Sequence, residues 1–286
     1  MEKALVGSLL VASIVLAAGA GNFFQQSFQI TWGADHVQPS ADGNSVKMIL
    51  DKTSGANFKT TKSFLYGGFS AQMQLPAGDS AGVCTAYFLT STGSNHDELD
   101  YEFLGNVSGE PYIVQTNVFA NGIGGREERI YLWFNPQDGF HTYSVVWNPQ
   151  QVTFLIDNIP IRMFQNLENM GISYPSQPMS IFSSIFDAST WATRGGAVAI
   201  DYTKGPFVAS YQDFTLDGCA TSPGGSSLSA CAADANSWWM QPSYKSLDEN
   251  QIKQLRWVRQ NYLQYTYCND KTRYATPPAE CGPNNP

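Results

Sequence analysis

Residues 96 to 105, HDELDYEFLG, place three carboxylic acids at every second position. Glu98, Asp100 and Glu102 alternate with apolar residues. Because alternate side chains of a β-strand share one face, this spacing predicts three acids on one side of a sheet and an apolar side in the core. Asp and Glu are poor strand formers and like charges on one face repel, which favours a functional use over a solvent-facing acidic strand.

The spacing suits acid–base chemistry on a glycosidic bond. Cα atoms four positions apart on a strand are ~13 Å apart, and two Glu side chains that lean together bring their carboxyl groups to ~5 Å. Retaining glycosidases hold two carboxyl groups about 5 to 5.5 Å apart, one as nucleophile and one as proton donor. Three adjacent carboxylates do not all ionise at low cost, so one keeps its proton, and Asp100 lies between the two Glu residues where it can orient the nucleophile.

The elements around this strand are predicted to be β-strands. From about residue 22 to 218, short apolar or alternating runs are separated by turn residues, which indicates an antiparallel sandwich or barrel. Asp157-Asn158 is a hairpin-turn candidate. After residue 218 a Gly/Ser/Ala-rich segment precedes a predicted helix, with Ser246 and Glu249 as a capping box. Its apolar residues recur at spacings of three and four: Ile252, Leu255, Val258, Tyr262 and Tyr265.

The N-terminus predicts secretion. Residues 1 to 20 combine Lys3, a short apolar run and small residues at an A-x-A-like pattern, which is typical of a cleaved signal peptide; an uncleaved anchor would need a longer apolar run. The predicted organisation is a signal at 1–20, a β-domain at 21–218 and a C-terminal extension at 219–286.

Five cysteines agree with export. Cys219 with Cys231 and Cys268 with Cys281 are the closest pairs, although four cysteines allow three pairings, and Cys84 is expected to be a buried free thiol. Asn106 begins an Asn-Val-Ser sequon.

Composition excludes other partners. The formal net charge is −8 and no basic stripe occurs, so we expect no nucleic acid partner. The three histidines lack metal-ligand spacing, so we expect no metal and no cofactor. No second segment is apolar enough to cross a membrane, and we expect a monomer.

The run HDELDYEFLGN resembles the active-site signature of plant xyloglucan endotransglucosylase/hydrolases of glycoside hydrolase family 16. The similarity continues through QTNVF, GREERIYLWF, WATRGG and RWVRQNY, over nearly the whole mature chain. It implies a curved all-β jelly-roll sandwich with a short C-terminal extension that contains a helix. It also implies Glu98 as nucleophile, Glu102 as acid/base and Asp100 as their helper.

The resemblance further implies an N-glycan at Asn106 and saccharide contacts at seven positions. These are Gln115, Asn117, Arg126, Glu127, Trp191, Gly195 and Arg273. Read singly, each has an ordinary structural alternative: a polar strand face, a solvated turn or a core aromatic.

Two segments depart from the family pattern. Residues 186 to 190 are FDAST where an aromatic and two acids are usual, and the N-terminal loop carries Pro39. Xyloglucan is the expected donor in the cell wall and apoplast, with mixed-linkage glucan or cellulose as alternative donors. A plain endo-β-glucanase and a non-catalytic β-glucan-binding lectin are the other readings.

Overall fold

The computed structural model describes residues 22–221 and 234–285. Strands dominate the order of elements in these ranges. The strands are β1 Phe28–Trp32, β2 Val37–Pro39, β3 Ser45–Leu50, β4 Ala56–Thr60, β5 Ser63–Gln74, β6 Val83–Thr90, β7 Glu98–Leu104, β8 Ile113–Phe119, β9 Glu128–Tyr131, β10 His141–Trp147, β11 Gln151–Ile156, β12 Ile159–Gln165, β13 Ser180–Asp187, β14 Phe207–Thr221 and β15 Leu263–Thr266. The α-helices are α1 Phe23–Ser27, α2 Pro242–Lys245 and α3 Glu249–Tyr262.

These strands form two antiparallel sheets. The eight-stranded sheet has the order β1-β4-β13-β6-β7-β8-β9-β15, and the seven-stranded sheet has the order β12-β11-β10-β5-β14-β3-β2. Neighbours in space are mostly distant in sequence, as expected when the chain crosses repeatedly between two sheets. The predicted all-β jelly-roll sandwich with a helix-containing, disulfide-clipped extension is therefore confirmed.

The core between the sheets explains why the acidic strand forms. Leu99, Tyr101 and Phe103 of β7 are fully buried. The Tyr101 ring packs edge-on against Phe154 of β11 with 5.3 Å between centroids, and Phe103 packs edge-on against Tyr143 of β10 at 4.6 Å. Burial of large aromatic surface stabilises the strand by a few kcal/mol per ring, which offsets the poor strand propensity of the acids between them.

The predicted hairpin at Asp157-Asn158 is present between β11 and β12. Both residues have positive φ angles, 48° and 64°. Two successive left-handed residues give the turn whose twist matches paired strands, and Asp and Asn tolerate that conformation well.

The helix of the extension begins later than predicted. Asp248 is the N-cap of α3 and forms the capping box with Gln251, whereas Ser246 ends α2. Between them Leu247 is buried beside Leu255 and Met163, which separates α2 from α3. Leu255 and Val258 are buried as the periodicity predicts, but Tyr265 lies on β15 and not on the helix.

The extension completes the eight-stranded sheet. β15 pairs with β9, and Cys268 is bonded to Cys281 as predicted. β14 runs past the predicted boundary at residue 218 to Thr221. Cys231, the predicted partner of Cys219, and the predicted signal at 1–20 lie outside the described residues. Among the described helices, none has the length and apolar character needed to span a bilayer.

Candidate active site

The three acids lie on the side of β7 that faces away from the core. Across β8, Asp100 is opposite Asn117 and Glu102 is opposite Gln115. We call this side of the eight-stranded sheet the acidic face. Glu98 and Glu102 are half-buried and Asp100 is only 7 % exposed, so the acids form a recessed site and not a solvated strand.

Both ends of β7 are held by backbone contacts. Just before the strand, the buried Asp97 carboxylate accepts the N–H groups of Asn121, Ser176 and Gln177 at 2.7, 2.7 and 2.8 Å. Just after it, a Cβ at Gly105 would lie 2.0 Å from the Ser80 carbonyl oxygen, so only glycine fits. The run of acids is therefore positioned by residues on either side of it that do no chemistry themselves.

Asp100 is the acid that least favours ionisation. Burial raises the pKa of its carboxyl well above the usual value, and the charges of Glu98 and Glu102 raise it further. A hydrogen bond with Glu98 acts in the same direction, because protonated Asp100 donates it, and Arg162 opposes the shift from the other side of the sheet. The surroundings of Asp100 therefore favour its protonated form next to Glu98, which fits a helper that orients a nucleophile.

Glu102 also has a raised pKa. Burial is the main cause, and the charges of Glu98 and Glu127 contribute. The Gln115 amide nitrogen donates a hydrogen bond to the Glu102 carboxylate, which favours the ionised form and partly offsets the rise. The Gln115 amide is itself oriented by Arg129, whose Nε donates to its oxygen at 2.7 Å. A carboxyl group whose pKa is raised above the usual value is suited to act first as a general acid and then as a general base.

Glu98 lies close to the side chain of His96. His96 Nε2 lies 3.9 Å from a Glu98 oxygen, and the His96 ring stacks on Phe119 with 5.2 Å between centroids. This contact is too long for a direct hydrogen bond. It places an imidazole ring at one end of the acidic row.

A cavity of about 360 Å³ lies between the acidic face and the extension, and Gln115, the hydrogen-bond partner of Glu102, is part of its wall. Its lining includes four of the predicted saccharide contacts, Gln115, Glu127, Trp191 and Arg273. Arg273 reaches it from the extension and donates to Glu127 at 2.6 Å. The structure therefore brings these four side chains together although they lie far apart in the sequence.

Two lining residues of this cavity were missed by the sequence analysis, Arg129 and Tyr265. Arg129 lies over the Tyr265 ring at 5.6 Å, and the Tyr265 hydroxyl donates to Asp270 at 2.8 Å. Arg129 was detectable, because it follows Glu127 by two positions where β9 begins, and alternate side chains of an extended chain share one face. Tyr265 was not, since its spacing assigned it to the helix.

Two other predicted residues, Asn106 and Gly195, line a second cavity, of about 300 Å³. The Asn106 side-chain nitrogen donates to the Pro111 carbonyl at 3.1 Å, and Ser108 is exposed. Gly195 has a φ of 69°, which favours glycine there.

The position of Arg126 does not support a saccharide contact. Its guanidinium is buried and donates to Glu280 Oε1 at 3.1 Å and to the Ile123 carbonyl at 2.6 Å. Asn117 lies on the acidic face beside Asp100, but its side-chain oxygen accepts the Arg126 backbone N–H at 3.0 Å. Arg126 thus joins the extension to the sheet through a buried ion pair with Glu280.

The two departing segments lie in different places. Phe186 pairs with Cys84 at the end of β13, and Asp187 accepts hydrogen bonds from Ser189 and from the Tyr202 hydroxyl. The segment with Pro39 forms β2 at the edge of the seven-stranded sheet, away from the acidic face.

Solved structures share this fold. A Bacillus licheniformis β-glucanase matches with a TM-score of 0.55 and 20% identity over 68% of this chain and 92% of its own. The apo form of the Crh5 transglycosylase matches with a TM-score of 0.56 and 25% identity, over 72% of this chain and 82% of its own. Both similarities support the jelly-roll architecture.

Comparisons with protein-family profiles and with related sequences show the family to which the chain belongs. The profile "Glycosyl hydrolases family 16" matches residues 24–204, and the profile "Xyloglucan endo-transglycosylase (XET) C-terminus" matches residues 233–281. A probable xyloglucan endotransglucosylase/hydrolase protein of Nicotiana tabacum is 47% identical over 90% of this chain and 88% of its own length. Xyloglucan endotransglucosylase protein 34 of Populus tremula x Populus tremuloides is 48% identical over 90% and 87%. The chain therefore belongs to glycosyl hydrolases family 16 and, within it, to the xyloglucan endotransglucosylase/hydrolase group.

Proposed function

We propose that this protein is a retaining endo-transglycosylase that cleaves a β-1,4-linked glucan backbone of the xyloglucan type and joins it to a glucan acceptor. The observation that carries the proposal is the recessed row of three acids in which the pKa values of Asp100 and Glu102 are raised. A two-step displacement requires neighbouring carboxyl groups in surroundings that favour the proton on one of them more than on another. The names of the tobacco and poplar relatives support the choice of substrate.

In the first step Glu98 attacks the anomeric carbon of a backbone glucose and forms a covalent glycosyl-enzyme. Glu102 donates its proton to the departing chain. Protonated Asp100 donates a hydrogen bond to Glu98, which holds the attacking carboxylate in one orientation. In the second step Glu102 removes the proton from an incoming hydroxyl, which displaces Glu98 and restores the starting configuration.

The incoming hydroxyl decides between transfer and hydrolysis. A glucan chain end gives transfer and water gives hydrolysis, so transfer requires a site that holds an acceptor next to Glu102. We assign this role to the cavity lined by Trp191, Tyr265 and Arg273, because Gln115, which bonds Glu102, also lines it. The aromatic rings can stack on sugar rings, and the guanidinium group of Arg273 can donate hydrogen bonds to sugar hydroxyls.

The proposed setting is the plant cell wall. Residues 1–20 direct export as a cleaved signal, residues 21–218 form the catalytic domain and residues 219–286 form the extension. An N-glycan is carried on Asn106, which is half-buried on the loop after β7, with Ser108 of its sequon exposed. The proposed substrates are wall β-glucans, with xyloglucan as the first donor to test and mixed-linkage glucan and cellulose as the others.

A transfer assay tests the proposal. The enzyme is incubated with each donor polysaccharide and a fluorescent glucan oligosaccharide, and the size distribution of the fluorescence is measured. We expect fluorescence to enter the polymer fraction with the xyloglucan donor, and we expect Glu98→Gln to abolish it while thermal unfolding stays unchanged.

Two results would contradict the proposal. Donor shortening without incorporation of fluorescence would indicate a plain endo-β-glucanase. Retention of glucan with no cleavage, equal in the wild type and in Glu98→Gln, would indicate a binding protein.

A further inference from the structure

Lys59 lies on the acidic face, three strands away from the acids. On β4 it is opposite Phe182 of β13, Phe182 is opposite Phe88 of β6, and Phe88 is opposite Asp100 of β7. Directly paired residues of antiparallel strands lie on the same side of a sheet, so these four side chains form one row. With a strand spacing of about 4.8 Å, the row places Lys59 ~14 Å from Asp100.

The ammonium group of Lys59 is supported by aromatic rings. It lies 5.5 Å from the centroid of the Phe182 ring, which stacks on Phe88 at 5.1 Å. All three side chains are half-buried. Contact with an aromatic face restrains a flexible lysine, which lowers the entropy that it loses when it binds a ligand.

Lys59 has no carboxylate partner among residues 22–221 and 234–285. Its neighbours across the strands on this face, Gln29 and Phe182, are uncharged. By contrast, Arg129 is bonded to Gln115 and Arg273 to Glu127. Lys59 therefore presents an uncompensated positive charge on the acidic face, in a protein whose formal net charge is −8.

A glucan bound for cleavage over the acids has to cross the strands, so one half of it passes the extension and the other half passes Phe88, Phe182 and Lys59. An uncompensated ammonium discriminates most strongly in favour of a negatively charged group, since a charge-assisted bond is stronger than one to a hydroxyl. We propose that Lys59 recognises a carboxylate on a branch of the donor. Glucans that carry a uronic acid would then be preferred where the donor crosses the acidic face on the side of the three acids away from Arg273. This inference rests on the proposed function.

The test uses two donors that differ only in charge. Xyloglucan is oxidised at its primary hydroxyl groups to carboxylates, and part of this material is reduced back to the alcohol. kcat/KM for transfer to the fluorescent acceptor is measured on both donors with the wild type, Lys59→Gln, Lys59→Glu and the control Lys62→Gln, whose position is exposed in the loop after β4.

We expect the wild type to favour the oxidised donor. The ratio of kcat/KM for the oxidised to the reduced donor should fall about threefold in Lys59→Gln and about tenfold in Lys59→Glu, as expected for loss and reversal of one partly exposed ion pair. The control should keep the wild-type ratio. Salt at 1 M should remove the differences, because it screens exposed charges.

Equal losses on both donors in Lys59→Gln would overturn the inference, because Lys59 would then contact only neutral hydroxyls. An unchanged ratio would overturn it as well. Absence of transfer on every donor would instead count against the proposed function. In that case electrophoresis through gels that contain either donor still tests the inference. Selective retardation of the wild type by the oxidised donor would support it. Equal migration of the wild type and the Lys59 variants in both gels would contradict it.

Discussion

At the scale of single residues, the site depends on differences in burial and neighbouring charge among three similar carboxylic acids. Asp100 is buried between two carboxyls and Glu102 is buried beside an amide donor, and the pKa of each is raised for these reasons. Glu98 is half-buried as the first residue of β7, and a carboxylate oxygen lies 3.9 Å from His96 Nε2. Burial and neighbouring charges, and not the residue type, therefore assign the proposed roles.

Replacement of the proposed acid should depend on the leaving group. We expect Glu102→Gln to lower kcat with a polysaccharide donor about 10²- to 10⁴-fold, the usual contribution of general acid catalysis. A donor with a nitrophenyl leaving group needs no protonation, so its rate of glycosyl-enzyme formation, followed by the burst of released nitrophenol, should fall far less. Equal losses on both donors would show that Glu102 is not the acid.

The amide next to Glu102 should set the alkaline limb of the pH profile. Gln115 donates to the ionised form of Glu102 and lowers its pKa, so Gln115→Leu should raise that pKa further. Glu102 then keeps its proton to higher pH, and the alkaline limb of kcat/KM should move upward. Gln29→Leu, on the exposed edge strand of the same sheet, is the control and should leave the profile unchanged. A downward shift in Gln115→Leu would contradict this assignment.

At the scale of elements, the helix of the extension is joined to the sheet by buried charges. Arg259 of α3 donates to both Glu128 oxygens, at 2.9 and 3.2 Å, and Thr266 of β15 donates to the same carboxylate at 2.9 Å. Burial by itself would raise the pKa of Glu128, but the charges of Arg162 and Arg259 outweigh it and the pKa is lowered. The contact therefore depends on a compensated buried carboxylate.

Removal of this cation should destabilise the fold. Arg259→Met leaves Glu128 buried with a weaker counter-charge, and we expect a loss of about 3 kcal/mol in the free energy of unfolding. Arg256→Met, at an exposed position of the same helix, is the matched control and should change the free energy by less than about 0.5 kcal/mol. Denaturant unfolding at neutral pH measures both.

The effect should also depend on pH with a defined sign. The folded pKa of Glu128 is below its unfolded value, so its contribution is complete above an unfolded pKa of about 4.3 and is lost as the pH falls through the folded value. The difference between wild type and Arg259→Met should therefore be largest above about pH 5 and shrink on acidification. A difference that grows in acid would contradict the role of the ionised carboxylate.

At the scale of the whole molecule, the cavity proposed to hold the acceptor is lined by two parts of the chain, the eight-stranded sheet with its loops and the extension. The bond between Cys268 and Cys281 closes a loop that contains Arg273, and Arg273 contacts Glu127 on the other side of the cavity. The extension therefore contributes both a strand to the sheet and a wall to the cavity.

Loss of this disulfide should affect the acceptor more than the donor. We expect the double variant Cys268→Ala/Cys281→Ala to lose about 3 kcal/mol of stability, the usual value for a loop of about 15 residues. Below its unfolding temperature, KM for the acceptor should rise and the ratio of transfer to hydrolysis should fall, while KM for the donor changes little. Cys84→Ala, which removes a buried thiol without breaking a disulfide, should not change that ratio. An unchanged acceptor KM in the double variant would remove the extension from the acceptor site.

The sequence by itself determined the alternation of the acids along one strand, the antiparallel all-β class and the hairpin at Asp157-Asn158, because a period of two and turn residues are local features. It favoured the Cys268–Cys281 pair by proximity but left other pairings open. Only the tertiary structure decided which saccharide candidates meet. Arg126 and Glu127 are adjacent in sequence, yet the guanidinium of Arg126 is buried against Glu280 while Glu127 lines the cavity with Arg273. Tyr265 continues a helical spacing but pairs with β9, since an open sheet edge gains more from backbone hydrogen bonds than a helix end gains from one further residue. Such outcomes depend on contacts between residues more than a hundred positions apart, which local sequence patterns do not encode.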